Sequence, residues 1–354
     1  MVLITACTVQ QRSVALKIPF ITSLGEKSVS RNLVVEIHLN SGVRGIGEAS
    51  ASLAMPHETQ ETMSAWIGSI RNKIVGFPVH AVRAGFINRT WWGEKELTHP
   101  TALGALECAV LDAEAQENHK RPTAFFGNNR KPIQTDITLS AWDADMTLKV
   151  ARHYYRKTFR RFKVKIGKAP LRKDMNRLDR LITQFEDCEF WIDANQGLTT
   201  ASALKLIRHL EPVKKKIRGL EQPTPKEDLA ALKKVKDNSP FPVYADESAG
   251  SLENVKRLIK KNAVDGIVVK IAKTGLFEAM EIVRLARRHH KKTMISCMAE
   301  SARGLATSVH WAIGDGGFDW VDLDSFELTR SSVPTSLYEA RGPWLSLPRL
   351  RART

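Results

Sequence analysis

Cysteine is scarce in this chain: four in 354 residues, Cys7, Cys108, Cys188 and Cys297, with no Cys-x-x-Cys pair among them. That excludes a disulfide-stapled scaffold and a cysteine zinc framework, and fits reduced thiols. No apolar run approaches the roughly 20 residues that a helical membrane span needs. The start, MVLITACTVQQR, lacks a basic stretch, a long apolar core and a small-residue cleavage site. The expectation is therefore a cytoplasmic protein with no membrane partner. Acid is in deficit: 54 basic against 38 acidic residues give +16. The excess is dispersed through Lys214-Lys215-Lys216, Arg287-Arg288, Lys291-Lys292 and Arg349, Arg351 and Arg353. It has no aromatic interleaving and no helix-turn-helix or zinc-finger spacing, so it reads as solvated outer faces, with no specific nucleic-acid partner. None of the ten histidines falls in a His-Glu-x-x-His pattern.

What is present divides in two. Alternation in Val14–Leu16 and Leu33–Leu39, the turn Asn40-Ser41-Gly42 and then Arg44–Glu48 predict a small antiparallel sheet with a hairpin. Between Glu58 and Ile74, and between Thr101 and Gln116, the apolar spacing becomes helical. Residues 1–128 read as an α+β capping domain. Beyond it, eight short apolar strands alternate with charged amphipathic segments: Thr135–Ser140, Phe162–Lys165, Glu189–Asp193, Ile217–Glu221, Val243–Asp246, Gly266–Lys270, Thr293–Cys297 and Trp320–Asp324. Eight parallel units are the number that closes a barrel. The fold class is thus α/β, a modified (β/α)7β TIM barrel over residues 129–325, with residues 326–354 expected to return to the cap. Gly42-Val-Arg-Gly45-Ile-Gly47 lacks a following helix and Lys-Ser/Thr and reads as a hairpin turn. Asn88-Arg89-Thr90 matches a glycosylation acceptor, which stays silent without a secretory route.

Ionisable residues end successive strands: Lys165, Asp193, Glu221, Asp246 and Lys270, in steps of 24 to 28 residues. The C-terminal strand ends of a parallel barrel surround one mouth, where the active sites of this fold lie. Three carboxylates without Cys or His form an all-oxygen site suited to one Mg²⁺. Lys163 shares a strand face with Lys165, placed to press its neighbour's pKa down and to contact an anionic substrate. A proton beside a carboxylate is a very weak acid, and a divalent ion on the resulting enediolate offsets the cost of removing it. Amines on strands two and six face each other across the mouth, so one removes a proton while the other returns one, which inverts a stereocentre.

At Lys163-Val-Lys165, Asp193-Ala-Asn195, Glu221-Gln-Pro223, Ala245-Asp246-Glu247-Ser248 and Lys270-Ile-Ala-Lys273 the chain resembles the enolase superfamily, specifically its muconate-lactonising subgroup. The resemblance spans nearly the whole chain, including Gly47-Glu48-Ala49 in the cap. It implies Asp193, Glu221 and Asp246 as Mg²⁺ ligands, Lys165 and Lys270 as the acid/base pair, and Asn195, Glu247 and Lys273 in support. Where the family usually carries x-Gly-Gly after the last lysine, this chain has Thr274-Gly275-Leu276. Asp322-Leu-Asp324 resembles the dipeptide epimerase signature, two same-side aspartates for a free α-ammonium. Cys297-Met298 resembles the strand-seven segment whose backbone helps hold the substrate.

Members acting on Ala-Glu place an arginine in the loop after Pro19-Phe20, where this chain reads Gly25-Glu26. Gain of an acid there points to dipeptides with a Lys or Arg side chain. The expected activity is thus a Mg²⁺-dependent dipeptide epimerase, an isomerase inverting the Cα of the C-terminal residue, and by family analogy a homo-oligomer. The rivals are an o-succinylbenzoate synthase or muconate cycloisomerase, neither of which needs an ammonium pocket, and a polyanion-binding protein on a barrel scaffold.

Overall fold

A computed structural model describes residues 1–88 and 98–348; Arg349, Arg351, Arg353 and the Arg89-Thr90 part of the acceptor motif lie outside them. The chain opens on a three-stranded antiparallel sheet of β1 (Ile4–Thr22), β2 (Gly25–Leu39) and β3 (Arg44–Ser50). β1 is far longer than its Val14–Leu16 signal. Its middle, Gln10-Gln-Arg-Ser13, is polar and exposed throughout on this edge strand, although its β2 partners Asn32, Leu33 and Val34 are buried, so alternation disappears in β1. The Gly42–Gly47 stretch is the expected hairpin turn and following strand. Against the sheet pack α1 (Gln60–Ile70), capped by Thr59, α2 (Val79–Asn88) and the buried α3 (Pro100–Glu117). Gly45 and Gly47 let β3 lie directly on α3, since a Cβ at Gly47 would stand 1.8 Å from the Ala105 carbonyl oxygen.

After the short β4 (Ile133–Gln134) the barrel begins with β5 (Ile137–Leu139), β6 (Arg161–Lys165), β7 (Glu189–Asp193) and β8 (Ile217–Glu221). It continues with β9 (Val243–Ala245), β10 (Gly266–Val269), β11 (Lys292–Ser296) and β12 (Trp320–Asp322). All pair in parallel in chain order. The ring is closed between its ends where Asp136 N donates to Val321 O (3.0 Å) and Leu323 N to Thr135 Oγ1 (2.8 Å). All eight strands expected from the sequence are thus present. Between them run α4 (Ala144–Arg156), α5 (Leu171–Gln184), α6 (Thr200–Leu210), α7 (Leu229–Asp237), α8 (Leu252–Lys260), the short α9 (Ile271–Thr274), α10 (Leu276–Arg288) and α11 (Ala306–Asp315). Asp143, Thr199, Asp228 and Ser251 cap four of them through side-chain oxygens, each satisfying a free N–H of the first turn.

The barrel interior is layered. Its floor is Trp191, Tyr244, Val268, Met294 and Trp320, with the Trp191 ring 4.4 Å from Tyr244 and 5.3 Å from Trp320. Two glycines make room for it: a Cβ at Gly266 would sit 2.1 Å from the Tyr244 ring, and one at Gly219 2.8 Å from Trp191. The ionisable strand ends lie above this floor.

The tail after α12 (Ser325–Leu328) touches the cap at Thr329, bridged to Leu16, and at Arg330 N, which donates to Ala15 O (2.8 Å). It then leaves the cap. β13 (Glu339–Arg341) and β14 (Trp344–Ser346) pair with β4, and Tyr338 and Leu345 join the barrel core. Within the described residues 326–348 the tail thus meets the first domain near Ala15 and Leu16 before packing on the barrel. The apolar Tyr338 and Leu345 bury themselves on the nearer barrel instead.

The buried His310 of α11 shares a hydrogen bond with Thr123 Oγ1 across the cap–barrel junction. Burial, with Arg121 adding to it, pushes its pKa down to about 4, against about 6.5 in an unfolded chain. A depressed histidine gives stability that is complete above pH 6.5 and lost as pH falls through 4. Between pH 7 and pH 4 the protein is expected to lose about 3 kcal/mol more than a His310→Gln variant, measured by urea unfolding at each pH.

Candidate active site

The strand ends bring Lys163, Lys165, Asp193, Glu221, Asp246, Lys270, Lys273, Asp322 and Asp324 to one mouth, all of them buried. A cavity of about 520 Å³ opens onto it, lined among others by Phe20, Thr22, Leu24 and Lys27 of the cap and by Lys163, Lys165, Asp246, Lys270, Asp322 and Asp324 of the barrel. β6 and β10 are four strands apart in a ring of eight. Lys165 and Lys270 therefore stand on opposite sides.

The lysines and acids are tightly paired. Lys165 Nζ meets Asp193 Oδ2 at 2.5 Å and Lys270 Nζ meets Asp246 Oδ2 at 2.5 Å. Lys163 Nζ lies 2.8 Å from Asp322 Oδ2, 2.9 Å from Glu221 Oε2 and 3.2 Å from Asp193 Oδ2. Lys273 Nζ donates to Asp246 Oδ1 (2.7 Å), to Asp246 O (2.6 Å) and to Val268 O (2.7 Å). Burial alone depresses an ammonium, but Asp322, Glu221 and Asp193 outweigh it and hold Lys163 well above its ordinary value. Asp246 does the same for Lys270. Burial raises every acid, yet Lys165 and Lys163 keep Asp193 low, and Lys270 and Lys273 keep Asp246 low. Glu221 is pushed up to about 8 by burial and by the neighbouring Asp193 and Asp246, which Lys163 and Lys270 do not outweigh. Lys163 is thus enclosed by three carboxylates. It faces the substrate cavity as part of an ion cluster rather than as a free cation.

Asp246 lines the cavity, while Asp193 and Glu221 sit behind the ammoniums of Lys165 and Lys163. Asn195 Nδ2 donates to Glu247 Oε1 (3.1 Å), yet Asn195 Oδ1 and Glu247 Oε2 are buried beside these acids with no partner. Hard oxygens, two of them unsatisfied, next to carboxylates competing for lysines fit a dication such as Mg²⁺. A second acidic cluster is tighter: oxygens of Asp136, Asp322 and Asp324 lie within 4.8 Å of one another. Burial with Asp322 and Asp324 holds Asp136 well above the carboxylate range, and burial with Asp322 pushes Asp324 up to about 7. Asp322 is already engaged by Lys163 and Ser296. Asp322 and Asp324 do share the cavity, as the two-residue period requires.

Other expectations need correction. Glu26 is exposed and lies outside the cavity lining; the hairpin tip, where Ile21 pairs with Glu26, turns it outward and brings Lys27 in instead. Glu26 is therefore not placed to select a cationic substrate side chain. Cys297 and Met298 do line the cavity. In the unusual Thr274-Gly275-Leu276, Gly275 stands at φ +80°, and a Cβ added to it would lie 2.7 Å from Glu107 Oε2. Glu48 of the cap signature ties the cap to the loop after β11, accepting from Ser301 N (2.7 Å) and Ser301 Oγ (2.5 Å).

Several groups were passed over in the sequence. Trp191 Nε1 donates to Glu221 Oε2 at 2.6 Å, Ser296 Oγ to Asp322 Oδ2 at 2.6 Å and Thr138 N to Asp324 Oδ2 at 2.6 Å. Trp191 and Thr138 carried a signal, since each lies on a barrel strand and Trp191 precedes Asp193 by the two-residue period. Lys27 carried none.

Known proteins agree with this architecture. Residues 4–122 match the mandelate racemase / muconate lactonizing enzyme N-terminal domain, and residues 145–348 the enolase C-terminal domain-like family. The chain belongs to that family. It is 35% identical over 326 residues to an L-Ala-D/L-Glu epimerase of Thermotoga maritima, covering 92% of this chain and 93% of that protein. It is 30% identical to an aromatic dipeptide epimerase of Herpetosiphon aurantiacus over 91% of this chain and 90% of that one. The crystal structure of a dipeptide epimerase of Enterococcus faecalis, complexed with Mg and L-Leu-L-Tyr, superposes with a TM-score of 0.90 at 26% identity, covering 97% of each chain.

Trp191 orients Glu221, and loss of such a supporting partner typically costs about 10- to 100-fold in metal affinity. Trp191→Phe is therefore expected to weaken Mg²⁺ binding by that factor, read by calorimetric titration of metal-stripped protein.

Proposed function

We propose that this chain is a Mg²⁺-dependent dipeptide epimerase that inverts the Cα of the C-terminal residue by two-base proton transfer. The observation that carries the reading is Lys165 and Lys270 facing each other across three carboxylates, in one cavity with Asp322 and Asp324. Its volume is within the range of small-molecule sites. The curated relatives and the liganded neighbour bear names of the same activity.

Asp193, Glu221 and Asp246 hold the ion. Bound there, Mg²⁺ supplies the positive charge that makes a proton beside a carboxylate removable and loosens the acids' hold on the two lysines. Lys165 takes or gives the proton on one face of Cα, and Lys270 on the other. Lys273 fixes Asp246 through its carboxylate and its backbone carbonyl. Asn195 and Glu247 brace each other beside the metal ligands. Asp322 and Asp324 receive the substrate's α-ammonium, a group that dehydration or lactonisation substrates lack. The hairpin brings Phe20, Thr22, Leu24 and Lys27 into the cavity: two apolar groups, one hydroxyl, one cation and no acid. This favours a neutral or acidic side chain over the Lys- or Arg-containing dipeptides suggested by Glu26.

A library of L,L- and L,D-dipeptides incubated with Mg²⁺ in D₂O is expected to gain deuterium at the C-terminal Cα, in product and in recovered substrate, without loss of water. Mass spectrometry reads it, and loss of water instead would refute the reading. Lys165→Ala and Lys270→Ala should each lower epimerisation by about 10²- to 10⁴-fold. Asp324 holds a cation only when ionised. With its pKa pushed up to about 7, dipeptide affinity should rise as pH climbs through about 7. In Asp324→Asn that limb should vanish and KM rise by about 10- to 100-fold, the equivalent of one lost charged hydrogen bond.

A further inference from the structure

We propose that Arg177 is a positioning residue that sets the aim of Lys165, and so serves one face of the reaction only. The inference rests on the two-lysine reading above. Arg177 lies on α5, outside the cavity lining, with its guanidinium buried beneath the ends of β5 and β6. Its Nη1 donates to Ser140 O (3.0 Å) and Trp142 O (2.9 Å). Its Nη2 donates to Lys165 O and to Asp174 Oδ1 (2.9 Å). The other oxygen of Asp174 accepts from Gly167 N (2.9 Å), in the turn after Lys165, where Gly167 stands at φ +86°. One planar fork thus gathers the base's own carbonyl and the loop after the first barrel strand, and through Asp174 it holds the turn that follows the base.

The same loop seats the roof of the site. Ala141 N donates to Ile21 O (2.9 Å) and Trp142 Nε1 to Pro19 O (3.0 Å), and the Phe20 ring lies 5.9 Å from Lys165 Nζ. Arg177 therefore fixes Lys165 relative to the wall that faces it. A lysine has one flexible ammonium and does not reproduce a fork that meets four oxygens in fixed directions. Stability alone is a weak reason to bury such a pair, since apolar packing commonly does as well. Lys270, four strands away, has no hydrogen bond to this network; its neighbour Lys273 is anchored separately, by Asp246 and Val268.

The one-sidedness gives the test. Holoenzyme with Mg²⁺ in D₂O is given each epimer separately, L-Ala-L-Glu and L-Ala-D-Glu or the pair turned over fastest in the library, and initial Cα deuteration is followed. Lys165→Ala identifies the epimer that Lys165 deprotonates. For that epimer Arg177→Met is expected to slow exchange on the order of 100-fold, the scale of an ångström's misplacement, while exchange from the other epimer and KM change by less than about threefold. Arg180→Met on the same helix, which loses an exposed pair with Asp145, should leave both epimers unchanged. Arg177→Lys keeps the charge beside Asp174 and should show the same one-sided loss. It decides the matter if Arg177→Met does not fold. Equal loss from both epimers, or none, overturns the proposal. If Lys165→Ala itself is not one-sided, the two-base reading fails first, and this inference with it.

Discussion

A single ammonium, Lys163, joins acids from three strands that would otherwise repel one another: Asp193 on β7, Glu221 on β8 and Asp322 on β12. It is 1% exposed, so water screens little of that repulsion. Removing one partner of such a buried group is strongly destabilising, of order 3–5 kcal/mol, because the remaining charges stay buried and unpaired. The rest of the mouth follows from this strut. With Lys163 at the centre, Lys165 and Lys270 are each left one carboxylate at the periphery, on opposite flanks, and Asp322 is turned toward the side where Asp324 stands.

The acids differ in state although they share a ring. Asp193 and Asp246, each with two lysines, stay ionised, whereas Glu221 and Asp324, pushed to about 8 and about 7, hold their protons more tightly. Pairing, more than burial, sorts them, since all are equally hidden. Neighbouring acids of one mouth thus differ in how firmly they hold a proton, which is the property the proposed metal and ammonium roles draw on.

Much of this was legible before any coordinates. The eight strands were visible because parallel barrel strands are buried on both faces and read as short apolar runs, and the acids at their ends follow from the regular length of each unit. The full length of β1 was not, because the middle of this edge strand, Gln10–Ser13, is exposed throughout and carries no alternation. Glu26 misled for a related reason. Which side of a hairpin tip faces inward depends on register, and a one-residue difference put Lys27 in the wall. Arg177 was invisible in a different way: on a helix of alternating charge nothing separates the one arginine that turns inward from its solvated neighbours. Lys163 was seen, but its three acidic partners come from distant strands, and only the closed ring brings them together.

The aromatic floor has a further consequence. Trp191, Tyr244 and Trp320, admitted by Gly219 and Gly266, fill the barrel beneath the charges, so the catalytic chamber is a blind pocket. Both stereoisomers therefore reach and leave the strand ends on the side opposite the floor, where Phe20, Thr22, Leu24 and Lys27 of the hairpin line the cavity. A molecule wedged there stalls forward and reverse turnover alike, and remodelling that wall leaves the chemistry below it untouched.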